Sequence, residues 1–198
     1  MAAVSKEASK NRLNELVNQF NQCAKTHYTE QDTITIFILP LLELLGWNIH
    51  NVYEVKQRSF PFHVNRSISM NFRSPKHPDC VISLNKTPHM VLEFKPLNYG
   101  QIDKYCQIVA DLLEKAYYVG AKFAVLTSFA KMNIYDGMKV IYDEKWDLFY
   151  DNKKVYDAPN KTYNCEEIQP LMRFNNPEEY GLKYDALWTY LSKENAVK

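Results

Sequence analysis

Three residues of this chain have the types and spacing for metal-assisted chemistry on a phosphodiester. They are Asp79, after Pro78, and the pair Glu93 and Lys95, thirteen intervening residues further on with Phe94 between them. Side chains alternate along a strand, so Glu93 and Lys95 project from one face and Phe94 enters the opposite layer. A hairpin brings Asp79 beside them. Two carboxylates held a few ångströms apart make a hard-oxygen site for Mg²⁺, to which the carbonyl of Phe94 could add a ligand. Such an ion polarises a scissile phosphate, while Lys95 orients the attacking water or offsets charge developing on phosphorus. An E-x-K on a strand also arises wherever polar residues line an exposed sheet face. Here Val81, Ile82, Met90, Val91 and Leu92 mark the strands as central, and a central strand seldom presents Glu and Lys without a use.

The elements that must position these groups are legible from periodicity. Leu13, Leu16, Val17, Phe20, Cys23 and Ala24 follow helical spacing, as do Ile34, Ile38, Leu41, Leu42 and Leu45 before Gly46. Thr29 and Asp32 resemble a capping box that starts the second helix near Glu30, and Pro40 should kink or shorten it. Strands are expected at Trp47 to Val55, Cys80 to Leu84 and Met90 to Lys95, the last two joined by the polar turn Asn85 to Pro88. A helix follows from Gln101 to Gly120, then strands at Phe123 to Thr127 and Met132 to Tyr135, with Lys139 to Tyr142 a further candidate. This order predicts an α/β fold, a mixed sheet flanked by helices. One domain spans residues 1–198, with a core at about 29–142 and a C-terminal extension over 143–198 that ends in a helix near Tyr184 to Leu191.

Composition narrows the class. Hydrophobic residues make up 46% and charged residues 24% of 198, near the globular average. The charged N-terminus lacks a signal peptide's apolar run, and no stretch approaches the roughly 18 apolar residues of a span, so a cytoplasmic protein without membrane contact is expected. Cys23, Cys80, Cys106 and Cys165 show no zinc or disulfide spacing and read as buried apolar thiols. The sequons at Asn65, Asn85 and Asn160 are chance matches in that setting. Net charge is +1, but from Val55 to Pro78 there is no acidic residue. Lys56, Arg58, Arg66, Arg73 and Lys76 fall there among Phe60, Phe62 and Phe72, a pattern able to track phosphates and stack on bases. Arg58, Arg66, Arg73 and Lys76 are therefore candidate nucleic-acid contacts; a merely solvated loop is the plainer alternative.

Several ordered motifs resemble the N-terminal nuclease domain of type I restriction enzyme R subunits and its solo relatives, within the PD-(D/E)xK superfamily. They run from Thr29-Glu30-Gln31-Asp32-Thr33 through Ile38 to Leu42, Leu45-Gly46-Trp47, Pro78-Asp79 and Glu93-Phe94-Lys95. They close on Ala124 to Thr127 and Ile134-Tyr135-Asp136, so the resemblance covers just over half the chain. It implies a restriction-endonuclease-like fold and places Glu30 near the metal, against the plain reading of a first-turn glutamate favoured by the helix dipole. It also implies a glutamine on the helix after E-x-K. Gln107 is preferred by position, with Gln101, in a literal Q-x-x-x-Y, second. The family's usual Leu-Thr-Asn-Gly is Leu126-Thr127-Ser128-Phe129 here.

The expected activity is Mg²⁺-dependent endonucleolytic hydrolysis of DNA, in a restriction or phage-defence system. No GxxxxGK loop is present, so no nucleotide cofactor is expected. Cleaving both strands needs two sites, which suggests a homodimer or separate specificity and motor subunits. The alternatives are a non-catalytic DNA- or protein-binding module on the same fold, and a nuclease of RNA or of branched or damaged DNA.

Overall fold

Ser5 caps the first helix, α1 (Lys6–Gln22), which buries Leu13, Leu16, Val17 and Phe20 along one stripe. The computed structural model describes residues 5–23, 28–57, 78–97, 106–143, 145, 147–164, 166 and 168–197. The Thr29–Asp32 capping box is formed, and it starts α2 (Glu30–Thr33) where the sequence predicts. Pro40 cannot donate a backbone hydrogen bond, and the helix widens just before it into a π-turn, Ile34–Ile38. There the Leu39 N–H reaches the Ile34 carbonyl, before regular winding resumes in α3 (Leu39–Leu44).

The strand expected from Trp47 to Val55 does not form. Only β1 (Val55–Gln57) is extended. The preceding residues turn because polar side chains take their backbone groups: Asn48 accepts from His50 N–H, Asn51 from Tyr53 N–H, and Glu54 from Asn48 N–H. β2 (Cys80–Leu84) and β3 (Thr87–Phe94) then form the predicted hairpin. Its two turn residues, Asn85 and Lys86, both take left-handed backbone.

α4 (Cys106–Val119) ends at Gly120, whose φ of +69° suits a glycine cap. It carries the chain across to β4 (Phe123–Thr127), which lies parallel to β3; β5 (Met132–Asp136) returns antiparallel. The chain continues through β6 (Val140–Tyr142), β7 (Leu148–Tyr150), β8 (Lys153–Asp157) and β9 (Thr162–Tyr163), which form a separate antiparallel sheet in that order. β10 (Met172–Phe174) rejoins the main sheet beside β5, giving the order β1-β2-β3-β4-β5-β10. Three helices close the described chain: α5 (Glu178–Leu182), α6 (Tyr184–Leu191) and α7 (Lys193–Ala196). The protein is thus mixed α/β, a mixed six-stranded sheet with helices and a second, four-stranded sheet.

Alternation divides the core between the two faces of the main sheet. Cys80, Ile82, Met90, Leu92, Phe94, Val125 and Ile134 pack against α1, the π-turn, α3, α5 and α6. Val81, Val91, Ala124, Leu126 and Tyr135 pack against α4 and the smaller sheet. Residues beyond 142 belong to these cores: Phe174, Tyr180, Leu187, Trp188 and Leu191 sit in the first, and Leu148, Tyr150 and Val155 in the second. The Trp47 indole N–H donates to the Leu191 carbonyl at 2.7 Å, and Lys193 bonds Glu54 at 2.8 Å, fastening the C-terminal helices to the start of the sheet.

The cysteines also differ from expectation. Cys23 and Cys80 are free, Cys80 fully buried, but Cys106 is disulfide-bonded. Among the described residues no helix is long and apolar enough to cross a membrane.

Candidate functional site

The β2–β3 register pairs Cys80 with Leu92, so the next position outward sets Asp79 against Glu93. The backbone confirms that placement: the Phe94 N–H donates to Asp79 Oδ2 at 2.9 Å. Phe94 itself is buried in the layer of α1, leaving Glu93 and Lys95 on the α4 side, as strand alternation predicts. The ladder continues one residue past β3, with the Lys95 N–H donating to the Thr127 carbonyl at 2.9 Å. Lys95 Nζ lies 2.9 Å from Glu93 Oε1. The three residues of the sequence motif therefore meet at the end of the central parallel pair β3 and β4.

A fourth side chain joins them that the sequence did not single out. Lys115, on α4, places its ammonium on Glu93 Oε2, and its side chain is only 7% exposed against 15% for Glu93 and Lys95. Its neighbours Leu112, Leu113 and Ala116 are wholly buried. A lysine on the border of so apolar a stripe was the one available signal, because a buried ammonium requires a counter-charge. Its partner lies 22 residues away in sequence, with no local spacing to reveal it.

Electrostatics separates the two carboxyl groups. Burial pushes Asp79 upward, the negative charge of Glu93 pushes it further, and the Phe94 N–H with Lys115 and Lys95 only partly opposes this. Burial acts on Glu93 in the same direction, but Lys115 and then Lys95 outweigh it and hold the group below the ordinary glutamate range. The charged form is favoured in Glu93 and resisted in Asp79. A divalent cation between them would relieve that resistance, and both groups offer hard oxygen, so the pair fits Mg²⁺ in donor chemistry.

The remaining candidates are placed differently. Glu30 occupies the first turn of α2, half-buried. Phe37, two turns on, stacks at 5.0 Å on Phe129 just past β4, which brings that helical segment to the same end of the sheet as Lys95. Among the described residues no group of three or more His, Cys, Asp and Glu could hold a metal, so Glu30 does not complete a trio with Asp79 and Glu93. Gln107 is exposed on the first turn of α4, eight residues before Lys115. That is about 12 Å of helical rise, and the structure does not bring Gln107 onto the carboxylates as it brings Lys115. Gln101, Arg58, Arg66, Arg73 and Lys76 lie outside the described residues.

Phe129 takes the position where the resemblance implies glycine, and its φ is +61°. A left-handed phenylalanine costs on the order of 1 kcal/mol. Aromatic packing offsets it: Phe129 is fully buried, with Phe20 at 5.3 Å, Phe37 at 5.0 Å and Tyr180 at 5.4 Å, and Tyr180 donates its hydroxyl to the Phe129 carbonyl. The loop beside the site is thereby held by core residues from α1, the π-turn and α5.

The chain matches no protein-family model, no curated protein and no solved structure.

Proposed function

We propose that this protein is a Mg²⁺-dependent endonuclease of restriction-endonuclease-like fold that hydrolyses DNA phosphodiester bonds, acting in a restriction or phage-defence system. The observation that carries the reading is the meeting of Asp79, Glu93 and Lys95 at the end of β3, with two carboxyl groups in facing register and a lysine beside one of them. Asp79 and Glu93 would hold the ion, which when bound supplies positive charge that polarises the scissile phosphate. Lys95 orients the attacking water or meets the charge developing on phosphorus. The hairpin followed by a helical crossover to a parallel strand supports the fold assignment, since it sets the motif at a strand end.

Purified protein incubated with supercoiled plasmid tests this directly. The parent should nick or linearise the plasmid with Mg²⁺ and not with EDTA, and Glu93→Ala and Lys95→Ala should be inactive while melting as cooperatively as the parent. Undiminished nicking by either variant would remove the assignment.

One observation favours a second reading, a non-catalytic DNA- or protein-binding module. Both oxygens of Glu93 already face lysine ammoniums, an arrangement that ties α4 to β3 without a ligand. Plasmid binding with no cleavage under any divalent cation would select that reading.

A further inference from the structure

Glu93 is held from two sides. Lys95, on its own strand, takes Oε1 at 2.9 Å; Lys115, from α4, takes Oε2 and is the most enclosed ammonium of the cluster. The two ammoniums therefore offset the attraction that the carboxylates exert on an arriving cation. The cation must also share the carboxylate oxygens that the lysines occupy. Without Lys115 that offset would be smaller, and Glu93 would have an oxygen to give.

Resting on the reading of Asp79 and Glu93 as cation ligands, we propose that Lys115 is a positioning residue that stands in the cation's place on Glu93, so that its ammonium and a divalent ion compete for that carboxylate. The lysine holds Glu93 charged and oriented in the metal-free protein. Cation binding loosens the Lys115 contact, and the flexible four-carbon stem lets the ammonium withdraw while α4 stays in place. A lysine serving only as a helix-to-strand tie would leave cation affinity untouched when replaced.

Calorimetric titration of the full chain with Mn²⁺ alone distinguishes the two, using the parent, Lys115→Met, Lys115→Arg and Glu93→Gln. Methionine keeps much of the stem's length and apolar packing without its charge. Lys115→Met should bind Mn²⁺ about tenfold more tightly, from the lost repulsion of a charge a few ångströms away. Lys115→Arg should bind as the parent does, and Glu93→Gln more weakly. In thermal melts Lys115→Met should fall below the parent without metal and close that gap at saturating Mn²⁺. Parental or weaker affinity in Lys115→Met, with a parent that binds Mn²⁺ and nicks plasmid, overturns the competition and leaves the nuclease reading standing. No binding by either protein overturns both. Should Lys115→Met fail to fold, Lys115→Gln gives the same affinity comparison.

Discussion

Glu93 and Asp147 are both carboxylates largely withdrawn from water and paired with lysine, yet their oxygens are used in different ways. Asp147, just before β7, is 2% exposed; its Oδ1 accepts from the Ala158 N–H at 2.8 Å and its Oδ2 meets the Lys154 ammonium. Its own backbone closes a turn with Asp143, whose Oδ1 accepts from the Asp147 N–H at 2.9 Å. Lys154 and then the Ala158 N–H hold it below the ordinary aspartate range. Glu93 meets two lysine side chains from separate elements. Backbone partners cannot leave without undoing a turn, whereas side-chain partners can withdraw and admit a ligand. Both oxygens of Asp147 are thus committed, one of them to the backbone of a turn, whereas those of Glu93 are held by long cationic side chains and are available for exchange.

The largest effect should come from separating the two by isosteric substitution. Glu93→Gln should reduce plasmid nicking by at least about 100-fold with its melting cooperative, and Asp147→Asn should nick at near the parental rate. Comparable activity loss in both variants would erase the distinction between them. A smaller effect is expected on stability. Asp147→Asn loses a charge-assisted contact and weakens a backbone one, and should lower Tm by roughly 2–6 °C in a chain of this size. An unchanged Tm would show that the Asp147 turn does not depend on its charge.

His89 sharpens the comparison from the strand that carries Glu93. It is 8% exposed between the rings of Trp47, at 5.9 Å, and Phe123, at 5.4 Å, so its neighbours on these two sides are aromatic. Burial and then the charge of Lys122 lower its pKa, against a hydrogen bond to the Tyr190 backbone. Because the folded value lies below the unfolded one of about 6.5, the unfolded chain gains protons first on acidification. The contribution of His89 is then complete above about pH 6.5 and is lost as pH falls below it, towards the folded value. Parent Tm should drop between pH 7.5 and 5.5, and His89→Gln should flatten part of that slope; an identical slope in the variant would dissociate His89 from it.

How much could be read in advance depended on how local each cause was. The hairpin was legible because strand alternation and a polar turn from Asn85 are properties of neighbouring residues, though Thr87 and Pro88 of the expected turn lie in β3, and the start of α2 because Thr29 and its capping partner Asp32 lie three residues apart. Glu93 and Lys95 share a face by period alone. The strand expected at Trp47 failed because Asn48, Asn51 and Glu54 turned their polar groups on the backbone, a competition that hydrophobic patterning does not register.

By itself, the sequence of this protein determined which side chains of the β2–β3 hairpin share a face, where α2 begins, and that two carboxyl groups and a lysine could come together. Only the tertiary structure decided that Lys115 stands on Glu93, that β10 completes the main sheet, and that aromatic rings from three elements hold Phe129 in a left-handed turn. The physical reason is range. Periodicity and capping act over a few residues and leave a pattern in the chain, whereas a contact across 22 residues, or between β5 and β10, follows from how whole elements bury their apolar faces and leaves none.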